Sequence, residues 1–334
     1  MSLIVTIKRI FREHPIKIVL ASLCILSFMG LNFWNDYAPL SVYDRNKKEI
    51  SRIKVANPDD FTFAVFGDNK GNHSFFEPLL HHIAQDKEIA FAIDAGDLVS
   101  HGKRGRYRRF LNQVQKNLTA PFLTAIGNHD LNNGSSNHYR EIFGPSYYAF
   151  QIGQNYFFVL DATSALGLDK VERQWLEDEL HKTQASKARF VFMHVPPFDP
   201  SGTYPPERNW KDLMDLLRRY NVTHLFTSHI HGYFSGIWEG VPYTITGGAG
   251  ARLQGSGPQH FFHHYVKVHV NNGKVELTVR QIHKGNGMLL FFGLIEDHML
   301  EWSLLLGAGI SLLMLGLSIK SKHSSESHHF GKGQ

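Results

Sequence analysis

The sequence predicts an α/β protein: mixed β-sheet flanked by helices, with a transmembrane helix towards each end of the chain. Three observations carry this. Short apolar runs alternate with segments of helical spacing through the first two thirds of the 334 residues, and only strand-like runs follow, up to about His283. That order gives a mixed sheet with helices on its outer faces. Two longer apolar runs, Ile16 to Phe33 and Trp302 to Ile319, flank everything else. Finally, the apolar runs of the middle region end in Gly, Asp, Asn or His, and ligands bind at the carboxyl edge of open α/β sheets.

The first long run holds one charge, Lys17 at its edge, and the second holds none. Each matches a hydrocarbon core of roughly 30 Å. Trp34 and Trp302 stand where interfacial aromatics are expected. Leu31-Asn32-Phe33-Trp34 offers no small-x-small cleavage site, so the first run is expected to stay as an anchor rather than leave as a signal peptide. Gly307, Gly309 and Gly316 suit a membrane helix better than a soluble one. Lys8, Arg9, Arg12, Lys320 and Lys322 lie outside the two runs and place both termini in the cytoplasm. These residues also account for much of the basic excess behind a pI of about 9.1, so no nucleic-acid partner is expected. The expected organisation is therefore a cytoplasmic N-terminus 1–15, a span 16–34, a linker 35–59, a domain 60–285, an interfacial segment 286–301, a span 302–319 and a cytoplasmic tail 320–334. The domain then faces away from the cytoplasm. Cys24, the single cysteine, falls within the first span and leaves the exported part without a thiol.

Within the domain, Phe61 to Phe66 reads as a strand ending in Gly67-Asp68-Asn69-Lys70, and Ser74 to Gln85 as a helix. Ile89 to Ile93 is a buried strand ending in Asp94-Ala95-Gly96-Asp97. Arg104 to Leu118 is a surface helix whose basic run, Lys103 to Arg109, reads as a solvated face, with a patch for an anionic substrate or lipid headgroup as the alternative. A short strand from Pro121 leads into Gly127-Asn128-His129-Asp130. Tyr147 to Ile152 and Tyr156 to Leu160 flank Gly153-Gln154-Asn155, a hairpin signal. Val171 to His181 carries Trp175, Leu176 and Leu180 on one helical face. Arg189 to Met193 is a strand leading into His194, Trp210 to Tyr220 a helix, and His224 to Thr227 a strand leading into Ser228-His229-Ile230-His231.

Asp68, Asp97, Asn128, His194, His229 and His231 thus share strand ends. Carboxylate, amide and imidazole donors suit borderline divalent metals such as Mn, Fe, Zn or Co rather than Ca or a thiolate site. Six donors exceed the needs of one tetrahedral ion and point to two ions sharing a bridge.

The order Gly67-Asp68, Gly96-Asp97, Gly127-Asn128-His129-Asp130, His194 and His229-Ile230-His231 resembles the calcineurin-like metallophosphoesterase superfamily over roughly residues 60 to 285. The resemblance implies an αββα sandwich and a centre of two divalent ions. It implies Asp97 as the bridge, Asn128, His194 and His229 on one ion, and Asp68 and His231 on the other. His129 would stand near the leaving group, oriented by Asp130. The ions would turn a bridging water into hydroxide for in-line attack on phosphorus.

Two positions depart from the family pattern. Lys70 stands where the first motif usually has His, and Ser228 where the last usually has Gly. An ammonium cannot ligate. Either the first ion is held loosely with extra water, or another group such as His73 or His101 replaces the ligand; Lys70 would alternatively meet the substrate phosphate as a point charge. Asp94 and Asp161 read as supports or as turn carboxylates. Arg252, in the Gly-rich stretch from Gly247, is a candidate substrate contact. The function expected is a membrane-anchored phosphoesterase acting on a phosphomonoester or phosphodiester, lipid-linked or from the envelope, beside membrane lipid. The alternative is a catalytically degenerate scaffold or sensor of the same fold.

Overall fold

The computed structural model describes residues 12, 14–40, 43–163, 167–202, 210–287 and 302–314. The chain divides into two compact units, Pro39–Leu290 and the paired ends Met1–Ala38 with Phe291–Gln334.

The larger unit holds two sheets. The first has the order β11-β10-β1-β2-β3, from Lys274–Gln281 (β11), His264–Asn271 (β10), Asp60–Phe66 (β1), Ile89–Asp94 (β2) and Phe122–Thr124 (β3). The second has the order β4-β5-β6-β7-β9-β8, from Tyr148–Ile152 (β4), Asn155–Val159 (β5), Ala188–Phe192 (β6), His224–Thr227 (β7), Val241–Thr246 (β9) and Tyr233–Trp238 (β8). β1, β2 and β3 run parallel, as do β5, β6, β7 and β9; β4, β8, β10 and β11 make the sheets mixed.

Period-two alternation sorts the strand side chains between three apolar layers. Phe63 and Val65 of β1, Phe91 and Ile93 of β2, Phe157 and Val159 of β5, and Phe190 and Phe192 of β6 share one cluster, which lies between the sheets. Their neighbours Ala64, Phe66 and Ala92 turn the other way. They meet Leu79, Leu80 and Ile83 of α3 (Phe76–Gln85) and Phe110 and Val114 of α4 (Arg104–Asn117). Phe158, Val191 and Leu225 meet Leu176 and Leu180 of α6 (Lys170–Lys182) and Leu213, Met214 and Leu217 of α7 (Lys211–Arg219). The layers therefore run helix, sheet, sheet, helix. Phe63 is the pin between the sheets. Its ring meets Phe157, Phe190, Phe192 and Phe226 edge-on at 5.6 to 6.2 Å between centroids, an arrangement that adds to plain burial.

The segment 35–59, expected to be an irregular linker, carries a helix, α2 (Arg45–Arg52). Its Asn46 carboxamide pairs with the edge strand β3: Oδ1 accepts from Thr124 N–H at 3.0 Å, and Nδ2 donates to Thr124 O at 3.3 Å. Glu49, also buried, accepts from Phe122 N–H. α5 (Asn137–Phe143) adds Tyr139, whose hydroxyl donates to Thr124 O.

In the smaller unit, α1 (Pro15–Tyr37) and a helix over 302–314 lie antiparallel. Lys17 Nζ donates to Met314 O at 3.2 Å, and a Cβ on Gly307 would sit 3.3 Å from Cys24 Sγ. Ala21 and Ala308 are buried, whereas Ile16, Leu20, Leu26, Leu306 and Leu313 are exposed. Among the described residues no helix is long and apolar enough to cross a membrane, so the spans expected over 16–34 and 302–319 are not established by the fold. Residues 288–301 of the expected interfacial segment and 315–334, which include the end of the second span and the tail, lie outside the described residues.

Candidate metal centre

Each sheet sends half of the predicted donors to the same edge. Asp68, Asp97 and Asn128 follow β1, β2 and β3; His194 follows β6, and His229 and His231 follow β7. The turns that carry them are strained in a consistent way. Asp68, Lys70, Asp97 and His229 have φ of +59°, +50°, +60° and +68°, a region that side chains other than Gly rarely enter. Backbone hydrogen bonds between the turns hold them there: Asp68 N–H to Gly96 O at 2.9 Å, Lys70 N–H to Asp97 O at 3.0 Å, and Ala251 N–H to Asp68 O at 2.7 Å. At Gly127 a Cβ would lie 2.2 Å from Asp97 N, so this turn accepts no side chain.

Four donor atoms meet on one side. His194 Nδ1 lies 3.0 Å from Ala95 O and therefore carries the proton, which leaves Nε2 with a lone pair. That nitrogen faces Asn128 Oδ1 at 3.1 Å and Asp97 Oδ1 at 3.3 Å. His229 Nδ1 lies 3.1 Å from the same Asn128 Oδ1. Burial pushes His229 down to about 4, so its ring is neutral. The lone pairs of His194 Nε2, Asn128 Oδ1 and Asp97 Oδ1 repel one another unless a cation stands among them. The residues fit the divalent ion that their chemistry implies.

On the other side, His231 Nδ1 is 2.6 Å from Arg252 O, and Nε2 is 3.1 Å from Asp68 Oδ1. Asp68 Oδ1 is buried without a well-aligned hydrogen bond of its own. Asp68, Asp97 and His231 bring one donor atom each within 4.8 Å of one another, a spacing suited to an ion. Burial alone would raise Asp68. The His231 contact and the charges of His194, His231 and Lys70 outweigh it and hold this carboxyl far below its ordinary value. Burial likewise works against a charge on His231, and Asp68 more than offsets it, raising the imidazole.

The departures from the family pattern have clear places. Lys70 Nζ pairs with Asp97 Oδ2 at 3.2 Å, with its side chain only 18 % exposed. His73 pairs instead with Glu77. The exposed His101 ring stands edge-on to His129 at 6.4 Å between centroids. Neither belongs to the convergent group just described. His129 is 42 % exposed, with Nε2 3.9 Å from Asp97 Oδ2.

One expectation is corrected. Asp130 does not orient the His129 ring, because its buried carboxylate is engaged by the N–H groups of Asp97, Leu98, Val99 and Gly127. Ser100 O, 3.0 Å from His129 Nδ1, orients the ring instead. Arg252 reaches the site through its carbonyl on His231, while its side chain is exposed.

Sequence reasoning passed over three supports. Ser228 Oγ donates to Asp68 Oδ2 at 2.5 Å, beside the His229 N–H at 2.6 Å. Gln254 Oε1 accepts from His231 N–H, and Asn69 Nδ2 donates to Asp94 Oδ2. Asp94 also accepts from Gly96 N–H, so it supports the turn from beneath. Ser228 was visible as a departure from Gly; the hydroxyl that it adds was the signal. Asp161 lies apart, where its N–H bonds to the buried Glu172.

The profile of the family described as Calcineurin-like phosphoesterase matches residues 61–233, over half of the chain. A probable cyclic nucleotide phosphodiesterase of Rhodopseudomonas palustris is 27 % identical over 186 residues, 48 % of this chain and 64 % of that protein. The chain therefore spans less than two thirds of that relative's length. Among solved structures, a purple acid phosphatase from yellow lupin seeds (Lupinus luteus) superposes with a TM-score of 0.55 at 18 % identity, over 66 % of this chain and 51 % of that one. A dimetal phosphatase from Danio rerio superposes with a TM-score of 0.52 at 15 % identity, over 66 % of this chain and 96 % of that one. At such identities the two structures speak for the fold.

Proposed function

The chain belongs to the calcineurin-like phosphoesterase family of hydrolases, and from that premise we propose that it hydrolyses a phosphoester at the centre formed by Asp68, Asp97, Asn128, His194, His229 and His231. The observation that carries this is the meeting of His194 Nε2, Asn128 Oδ1 and Asp97 Oδ1 with no proton to share. A divalent ion bound there, of the Mn, Fe, Zn or Co type, would acidify a water for attack on phosphorus and polarise the ester oxygens.

The chain's own groups supply the rest. His129 Nε2 faces the site while Nδ1 stays on Ser100 O, so the ring is placed to give a proton to a departing alkoxide. Lys70 beside Asp97 brings a fixed positive charge next to the reacting phosphoryl oxygens. A phosphodiester is the substrate we favour, since the curated relative is named as a probable cyclic nucleotide phosphodiesterase.

Membrane anchoring belongs to the same proposal, with the domain outside the cytoplasm and a lipid-linked or envelope phosphoester within reach. Its support is the pair of apolar runs with basic flanks and the antiparallel pairing of α1 with 302–314. Small residues line that seam and large apolar ones point outward, the packing that suits helices in lipid. The Lys70–Asp97 ion pair is the observation that favours the other reading, a degenerate scaffold.

Turnover of bis-p-nitrophenyl phosphate and p-nitrophenyl phosphate by Mn-loaded protein separates the two readings. The enzyme reading expects Mn-dependent hydrolysis that falls by roughly a hundredfold or more in Asn128→Ala. Hydrolysis indifferent to Mn and to Asn128 would overturn it, and silence toward both esters would favour the scaffold. Extraction of membranes with alkaline carbonate tests the anchor, whose release into the wash would refute it.

A further inference from the structure

We propose that Lys70 is a resident cation of the centre, standing in charge for one of two metal ions, so that this chain holds a single divalent ion tightly, on Asp97, Asn128, His194 and His229. The inference rests on the metal-centre reading above and deepens it. Lys70 grips Asp97 twice, through its backbone N–H on Asp97 O at 3.0 Å and its Nζ on Asp97 Oδ2 at 3.2 Å. The left-handed backbone at Lys70 and the burial of most of its side chain keep the ammonium at that oxygen rather than in solvent. An ammonium donates and has no lone pair to offer. It therefore takes up the oxygen that a second ion would need and gives no donor in return.

Counting donor atoms on the two sides makes the asymmetry plain. On the His194 side, His194 Nε2 and His229 Nδ1 each stand 3.1 Å from Asn128 Oδ1. Asp97 Oδ1, which also accepts from His129 N–H at 2.8 Å, lies 3.3 Å from His194 Nε2. Three donors with a shared carboxylate oxygen beside them suffice for one ion. On the His231 side, Asp68 Oδ2 already accepts from Ser228 Oγ and His229 N–H. Only Asp68 Oδ1 and His231 Nε2 remain once Lys70 holds Asp97 Oδ2. Two donors are fewer than the three protein ligands usual even in open catalytic sites.

Charge points the same way. The two carboxylates, the ammonium and one divalent ion leave a single net positive charge, which favours an anionic ester. A second divalent ion would leave three positive charges around one shared carboxylate, a repulsive arrangement in a low-dielectric site. The spacing of Asp68, Asp97 and His231 shows that the geometry for a second ion is still present beneath the lysine. Removing the ammonium should therefore open it.

The test counts ions rather than turnover. Full-length protein purified in detergent is titrated with Mn, freed of excess by gel filtration, assayed for Mn per chain, and examined by electron paramagnetic resonance. Wild type is expected to retain one Mn with the six-line spectrum of an isolated ion, and so is Lys70→Arg. Lys70→Met and Lys70→His are expected to bind a second Mn at least tenfold more tightly than wild type, and the His variant to show an exchange-coupled pair. Two tightly held, coupled Mn ions in wild type would overturn the proposal, as would a Lys70→His protein that stays at one. A wild type that binds no Mn at all would sink the metal-centre reading itself, a different result. Circular dichroism of each variant against wild type excludes unfolding as the cause of any lost site.

Discussion

At His194 one hydrogen bond decides what an imidazole can do: with Nδ1 spent on Ala95 O, the other nitrogen has only a lone pair to show. The same division of labour holds at His231, on Arg252 O. At His129 it leaves Nε2 turned toward the space beside Asp97 and exposed. His129→Ala is thus expected to lower turnover by roughly 10²- to 10⁴-fold with metal content per chain near wild type; equal loss of metal, measured by elemental analysis, would make His129 a ligand. Not every imidazole belongs to the chemistry. His224 and His264 are buried, bonded to Thr244 and Thr246, and burial pushes each down to about 4. Below an unfolded value near 6.5 the unfolded chain takes up protons that the folded one refuses. Their contribution is therefore complete above pH 6.5 and lost as pH falls toward 4, by about 3 kcal/mol each. Urea unfolding midpoints should drop through that window, and less steeply in a His264→Gln protein. That these six candidate donors gather at one edge was legible in the sequence, because Gly-Asp, Asn-His and His-x-His after apolar runs have few other uses in combination. The partners of His129 and Arg252 were not, since a carbonyl's neighbours are set by loop geometry and leave no trace in residue type.

Elements were legible in proportion to how much apolar surface they bury. β1, β2, β5 and β6 are buried on both faces, and their runs of Phe, Val, Ile and Ala stand out. α2 did not stand out. Arg45-Asn46-Lys47-Lys48-Glu49-Ile50-Ser51-Arg52 shows no apolar stripe, and the helix docks mainly through polar side chains on the backbone of β3. Asn46 does for this edge what another strand would do, giving Thr124 both a donor and an acceptor. Such a bond matters most when its loss strands a buried group. Asn46→Ala leaves the Thr124 N–H without that acceptor, and is expected to cost about 2 kcal/mol in a denaturant titration. Because Thr124 precedes the Asn128 turn closely, the variant should also lower Mn affinity. A protein as stable as wild type would show that water replaces the amide at no loss.

For the molecule as a whole, strands alternating with helices and then strands alone did give two mixed sheets with helices outside them. What sequence alone could not give was the closeness of the two sheets at one edge, which depends on Phe63 and its ring of aromatic partners. Binding to the folded state alone raises stability by mass action, by about 2.7 kcal/mol when free ion exceeds the dissociation constant a hundredfold. Stripping divalent ions with a chelator should accordingly lower the unfolding midpoint, reversibly on adding Mn. A midpoint unmoved by either treatment would mean that the centre binds no ion with useful strength.

The donors Asp97 and Asn128 belong to one sheet, while His194 and His229 belong to the other. An ion held among them is then a rivet through both plates of the sandwich, set at the rim, with the Phe63 packing as the hinge pin further in. Loss of the rivet should let the plates breathe at that rim first, so amide exchange should quicken at the strand ends near Asp94 and Phe192 while the centre of β1 stays closed.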